Sequence, residues 1–416
     1  MTDLSAQQPF SPDQPESLRA WGVVIAAAVG LALGMSPLPF YTIGMFAPEL
    51  AREFGWSFAA LMGGVAVQSA VVMLISPFAG LAIDRYGARP TGLLSLGLFG
   101  LVFMSFAMSS GSLILFYAQW FVMALLGIGT LSLTWTRVVS DWFDRNRGLA
   151  LGVASTGTGI TGFLLKPLTA WLIAEHGWRT AYMVIGMLPV LIGIPVVWLL
   201  FRERRRAGTL TGSVAVENGM TFAQALRDRK FWIITVAFLL IAYALTSPTP
   251  NMENILRTLH FDAATIAAIT AFFGLAVILG RVAGGWLIDH FWAPACACAV
   301  LTLPAAACWM LAQPQISTSA AIASVIALGL AAGLEFDLLA FLVTRYFGQR
   351  HYASIYGSFY TAVAIGGGAG PMVFGRAFDL TGSYAHVLLT GTISLILGGG
   401  LLLLLGPYRT FDMETA

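Results

Sequence analysis

GLAIDRYGARP (Gly80–Pro90) closes one apolar run and opens the next, and it returns in weaker form as GWLIDHFWAP (285–294). The two copies stand 205 residues apart, about half the chain. Other landmarks fall together at an offset of 204–205. REFGWS (52–57) lands on RTLHFD (257–262), Trp142-Phe143 on Tyr346-Phe347, and Pro167 on Pro371. A self-match of this length marks an internal duplication, and it has to be read before any local motif.

Composition fixes the medium. Of 416 residues 58% are hydrophobic and only 10% charged, and apolar runs of bilayer-spanning length recur throughout. They fall at 21–45, 58–82, 91–109, 113–138, 148–173 and 180–201, then at 231–250, 263–287, 294–312, 319–343, 352–375 and 385–406. The polar stretch between Arg202 and Lys230 divides them six and six. The predicted fold is therefore an all-α membrane protein with 12 transmembrane helices in two six-helix bundles, 20–201 and 231–406. A cytoplasmic central loop spans 202–230, and cytoplasmic tails span 1–19 and 407–416. An even number of crossings before the repeat begins again gives the two halves one orientation, related by an axis along the membrane normal.

Lys and Arg decide which face is inside. With the N-terminus cytoplasmic, the inside receives Arg19, Arg85, Arg89, Arg145, Arg147, the cluster Arg202 to Arg206, Arg227, Arg229, Lys230, Arg345, Arg350 and Arg409. The outside receives only Arg52, Arg179, Arg257 and Arg376. Both termini are thus expected in the cytoplasm of a multi-pass plasma (inner) membrane protein. The first residues, with Asp3, Asp13, Glu16 and three prolines, lack the basic n-region of a signal peptide and read as a cytosolic tail. A net charge of +2 spread over helix ends gives no nucleic-acid surface. Cys296, Cys298 and Cys308 share one apolar segment, without histidines at zinc spacing, and read as buried small residues. No metal or other cofactor is expected.

The loop GLAIDRYGARP, Gly-x-x-x-Asp-Arg-x-Gly-x-Arg, resembles the signature loop of the major facilitator superfamily, and its copy follows the eighth span, where that superfamily repeats it. RNRGLALGVASTGTGITG (145–162) and RYFGQRHYASIYG (345–357) are most similar to the monocarboxylate and oxalate/formate branch. The resemblance implies a transporter rather than an enzyme. It makes Asp84, Arg85 and Arg89, with Asp289 in the second copy, parts of a cytoplasmic latch. Arg137, near Asp141 and Asp144, is a further gate candidate. A turn with positive-inside charges would account for the same residues, since Gly87 and Pro90 suit one.

A charge at bilayer depth costs roughly 2.5–3.5 kcal/mol even on the lenient insertion scale, so each one calls for a role. The stretch GLAAGLEFDLLAFLVTRYFGQR (329–350) places Glu335 and Asp337 in the tenth span, while Arg281 lies in the eighth and Lys166 in the fifth. Their repeat counterparts, Leu131, Leu133, Ser76 and Gly370, are uncharged, so the shared scaffold does not require them. Arg281, Glu335 and Asp337 are about equally far along spans that run in one direction. Glu335 and Asp337 are expected to serve proton coupling, with the choice between them open.

In the carriers that this chain resembles, a basic residue four before the signature-loop glycine holds the substrate carboxylate, and Arg281, four before Gly285, occupies that place. An arginine fork suits a carboxylate through two parallel charge-assisted bonds. A permanent Arg281–Asp337 pair is the structural alternative. The acid that the monocarboxylate carriers place one turn earlier is here Val277. The oxalate/formate carriers have a second cation on the eleventh span, and Lys166 is its pseudo-equivalent; it either faces Arg281 across a cavity or snorkels outward. Tyr41, Tyr117, Tyr243, Tyr356, Tyr360 and Phe163 are candidate pocket residues, by ring shape and by hydroxyl donation.

Two features are scaffold readings. Pro37 and Pro39, and Pro248 and Pro250 at matching places, should break the first and seventh helices. Gly157-Thr-Gly-Ile-Thr-Gly162 satisfies G-x-G-x-x-G, yet no strand precedes it, so it reads as close helix packing. The sequence reading is a secondary active transporter taking up a small organic carboxylate with protons, working as a monomer in the lipid bilayer. A proton-driven antiporter exporting a drug or metabolite is the alternative.

Overall fold

A computed structural model describes residues 18–143, 147–203, 219–348 and 350–409. The N-terminal half contains α1 (Leu18–Ala32), α2 (Pro37–Phe54), α3 (Phe58–Tyr86), α4 (Ala88–Ser105), α5 (Leu113–Gly127), α6 (Ser132–Trp142), α7 (Arg147–Leu188) and α8 (Ile194–Leu200). The C-terminal half contains α9 (Phe222–Arg227), α10 (Arg229–Thr246), α11 (Pro248–Thr258), α12 (Ala263–His290), α13 (Ala293–Leu311), α14 (Thr318–Phe347), α15 (Tyr352–Thr381) and α16 (Ala385–Leu403). Ten stretches among the described residues are long and apolar enough to cross a membrane. The longest, Leu149–Leu200, turns within itself at Gly177, whose φ of +80° only glycine adopts without strain.

The proline pairs act as the sequence predicts. One helix ends at Ala32 and the next begins at Pro37; likewise α10 ends at Thr246 and α11 begins at Pro248. In both cases the helix beyond the break outruns the apolar segment. It continues to Phe54 rather than 45, and to Thr258 rather than 250. Hydropathy drew those limits too short because α11 is polar in composition, yet everything from Pro248 to Leu256 is buried. Its cover comes from α2 of the other half together with α10, α12 and α15 of its own, which no local pattern records.

The two bundles meet along three seams: α3 with α15, α7 with α12, and α2 with α11. Glycine makes the second seam possible. A Cβ on Gly159 would stand 2.6 Å from the Gly274 carbonyl oxygen, and one on Gly162 3.2 Å from the Gly274 Cα. Gly157 in turn packs on the Ala28 carbonyl of α1. The G-x-G-x-x-G stretch is thus a contact ridge in mid-helix, as expected. On the first seam, Asp379 near the end of α15 accepts from the backbone N–H groups of Phe58 and Ala59 at the start of α3, both at 2.8 Å. A carboxylate from one bundle so caps a helix of the other. These contacts all lie in the middle or at the end remote from the chain termini.

Candidate functional site

Small residues bring α12 and α14 together. Gly280 abuts the Leu330 carbonyl, Gly333 the Val277 carbonyl, and a Cβ on Gly329 would stand 2.6 Å from the Phe273 oxygen. Gly280-x-x-x-Gly284 thus faces Gly329-x-x-x-Gly333, the small-residue spacing that lets membrane helices approach closely. Arg281 follows directly after one of these contact glycines. Its Nε stands 3.9 Å from Asp337 Oδ2, and the two side chains are 19% and 41% exposed. That separation permits Coulomb attraction but not a hydrogen bond, and Arg281 Nε finds no hydrogen-bond partner in the protein.

Around this pair the structure gathers several of the expected residues. Arg281 acts electrostatically on Tyr41 of α2 as well as on Asp337. Tyr356 of α15 lies within electrostatic reach of Asp337 and Glu335, and Tyr360 within reach of Glu335. Tyr352 and Tyr356 stack at 5.6 Å, while Tyr41 packs against Phe273 at 5.8 Å. Phe163, 40% exposed, sits one turn from Lys166.

The two tenth-span acids take different surroundings. Glu335 is 6% exposed and borders a narrow void within the C-terminal bundle, lined otherwise by apolar side chains that include Phe238, Ile241 and Leu301. Its Oε1 has no hydrogen-bond partner. Asp337, two residues on, turns to Arg281.

Other expected residues are placed elsewhere. The Tyr117 hydroxyl donates to the Ala60 carbonyl at 2.9 Å, tying α5 to α3. The Tyr243 hydroxyl pairs with Thr390 at 3.1 Å, inside the C-terminal bundle. Arg89 donates to the Trp198 carbonyl, and its backbone N–H donates to Glu203. Arg85 lies over the Tyr86 ring at 5.4 Å, and Asp289 is exposed. Arg137 is exposed as well and has a partner of its own. The Asp84 side chain, and the residues 1–17 and 410–416 of the tails, lie outside the described residues. So does most of the central loop.

Lys166 does not snorkel. Its Nζ donates to Glu253 Oε1 at 2.6 Å, and the two side chains are 1% and 2% exposed. Glu253 lies on α11, so this ion pair joins the two bundles. Sequence reasoning missed Glu253 because it sits past the last apolar residue of its span, in a stretch that reads as an outer loop. The one available signal was the buried proline-containing counterpart in the first half, α2.

An all-helical pair of bundles, with embedded charges gathered between helices, defines a membrane transporter. The family model for the Major Facilitator Superfamily matches residues 29–371, and the chain belongs to that family. It resembles the monocarboxylate branch. It is 26% identical over 417 residues to monocarboxylate transporter 13 of Bos taurus, covering 98% of this chain and 94% of the relative. It is 28% identical to an uncharacterized 38 kDa protein of Thermoproteus tenax, covering 91% and 93%. Among solved structures, a bacterial homolog of the human lysosomal transporter Spinster, inward-facing and unoccupied, superposes with a TM-score of 0.68 at 16% identity. That match covers 94% of this chain and 96% of the other.

Proposed function

We propose that this protein is a secondary carrier that takes up a small organic carboxylate together with protons by alternating access. The observation that carries the reading is Arg281: a largely buried guanidinium about two-thirds of the way along α12, held by attraction to Asp337 but not hydrogen-bonded to it. A fork in that state can receive an anion without first losing a strong partner, and a carboxylate fits its two parallel donors. The similarity to monocarboxylate transporters supports the same substrate class.

Twelve spans, with both termini cytoplasmic, follow from the hydropathy pattern and the Lys/Arg distribution. With that orientation the named seam contacts lie in the middle or toward the outside, which supports an inward-facing reading. Asp337 and Glu335 are the proton-coupling acids of this reading, because a proton on either would offset the charge of an incoming anion. The acting unit is one chain, and the membrane is the plasma membrane.

Uptake of labelled carboxylates into proteoliposomes, with and without an inward proton gradient, tests the proposal. Accumulation of at least one carboxylate, stimulated by the gradient, is expected. Equal uptake in empty liposomes and proteoliposomes would refute it.

A further inference from the structure

Among the described residues the embedded charges sort into two opposite pairs and one lone acid, and the pairs are unlike. Arg281 and Asp337 lie in one bundle and are partly exposed. Lys166 and Glu253 belong to different bundles and are sealed. Around them there is little room. A Cβ on Gly44 of α2 would run into Glu253 Oε2 and the Pro250 carbonyl. Glu253 Oε2 has no hydrogen-bond partner, so Lys166 alone satisfies this carboxylate. Lys166 stands one turn beyond the Gly162–Gly274 crossing, on the same face of α7.

The other ionisable groups on the helices packed against the pair are few at this depth. Tyr41 lies one turn before Gly44 on α2, and Arg281 lies two turns from Gly274 on α12. Tyr243 is bonded to Thr390, and Tyr384 accepts from Asn254. Tyr182 of α7 stacks on Phe46. At the far end, Arg52 pairs with Glu49, Arg179 with Glu53, and Asp379 caps α3. None of these groups offers Lys166 or Glu253 a second counter-ion.

We propose that Lys166 and Glu253 form an exchangeable clasp, in which Glu253 takes the place of a substrate carboxylate on Lys166 once the carrier has released its substrate to the inside. The inference rests on the carboxylate reading above and deepens it. Charge balance gives the step. While the clasp is shut, ammonium and carboxylate cancel, so the empty carrier closes over a neutral pair. When a substrate carboxylate takes Lys166, the Glu253 carboxylate is displaced and would remain as an uncompensated charge in a low-dielectric seam. A proton adding to Glu253 restores neutrality: the Lys166–Glu253 contact breaks, a Lys166–substrate contact forms, and Glu253 becomes the neutral acid. Glu253 thereby carries one proton with each carboxylate, a proton site added to the α14 acids that answer the charge at Arg281. Because the pair bridges the bundles, it must part again before the emptied carrier opens its far seam to the next carboxylate.

Two measurements test this. In the first, nitroxides are placed on the far-end connectors at Ser110→Cys and Gln315→Cys, with Cys296, Cys298 and Cys308 replaced by Ala. Electron–electron distances are then recorded without any substrate. Glu253→Gln leaves Lys166 uncompensated, and the far-end-open population should rise at least about tenfold. The doubly neutral Lys166→Met/Glu253→Gln variant should return toward the closed distribution, which separates charge from shape. An unchanged distribution in Glu253→Gln, or a double variant as open as the single one, overturns the clasp.

The second measurement uses proteoliposomes and labelled lactate, pyruvate and benzoate. Glu253→Gln should lose gradient-driven accumulation by at least about tenfold while exchange of internal for external label persists. Accumulation driven as well as in the wild type overturns the inference and leaves the carboxylate reading standing. If the wild type accumulates none of the three, the carboxylate reading fails, and the distance measurement still decides the clasp.

Discussion

Arg281 and Asp337 attract one another across 3.9 Å without a hydrogen bond, whereas Lys166 and Glu253 are bonded at 2.6 Å. The difference has a physical origin. The first pair sits where α12 and α14 are drawn together by glycines, and its Asp337 side chain stays 41% exposed. The second is enclosed by the bundle seam. A weakly held guanidinium is ready for a ligand, and a tightly held ammonium is ready to hold a gate.

The acids of α14 should separate by role. Asp337→Asn removes the counter-charge of Arg281, and Glu335→Gln removes a carboxyl from an apolar void in which it has no cation partner. Substrate-driven proton uptake, followed with a trapped pH dye in proteoliposomes, should be lost in at least one variant. Glu335→Gln should melt no lower than the wild type, because an amide costs less to bury than an uncompensated carboxylate. Survival of proton uptake in both variants would remove these acids from the coupling.

At the α7–α12 crossing there is no space for a side chain. Gly274→Leu should therefore force the seam apart. Overpacking costs about 1–3 kcal/mol, enough to shift the balance of conformers about five- to a hundredfold away from the form described here. Distances between labels at Ser110→Cys and Gln315→Cys should lengthen, and net uptake should fall, while the detergent-solubilised protein stays monodisperse.

Asp379 caps a helix of the opposite bundle, so Asp379→Ala removes two hydrogen bonds that exist only while the far end is closed. Loss of a cap costs about 1 kcal/mol, and the far-end-open population should rise about fivefold. Asp379→Asn, which retains acceptor capacity but not charge, should have a smaller effect.

Much of this organisation is legible in the residues, and the limits are instructive. The internal duplication, the proline breaks and the glycine ridge at 157–162 could be read because each depends on local spacing. Arg281 stood out because a charge inside an apolar run has no cheap explanation. Glu253 did not stand out, since PTPNMENILRT is polar enough to pass for a loop. Packing against α2 of the other half and against α12 and α15 of its own makes it interior. Tyr117 and Tyr243 carry bonds that the sequence does not record either. Their hydroxyls look free in sequence, yet each is used by a backbone or side-chain oxygen of its own bundle. The split between Glu335 and Asp337 was likewise invisible, because it depends on which neighbour each helix face meets.

The most direct test is the binding of carboxylates to the purified protein with and without the Arg281 fork. A thermal-shift screen across aliphatic, dicarboxylic and aromatic acids should find at least one that raises the melting temperature of the wild type. Arg281→Lys keeps the charge but loses the bidentate geometry and should weaken that ligand about tenfold, and Arg281→Ala should abolish the shift. A carboxylate that stabilises Arg281→Ala as strongly as the wild type would contradict the account.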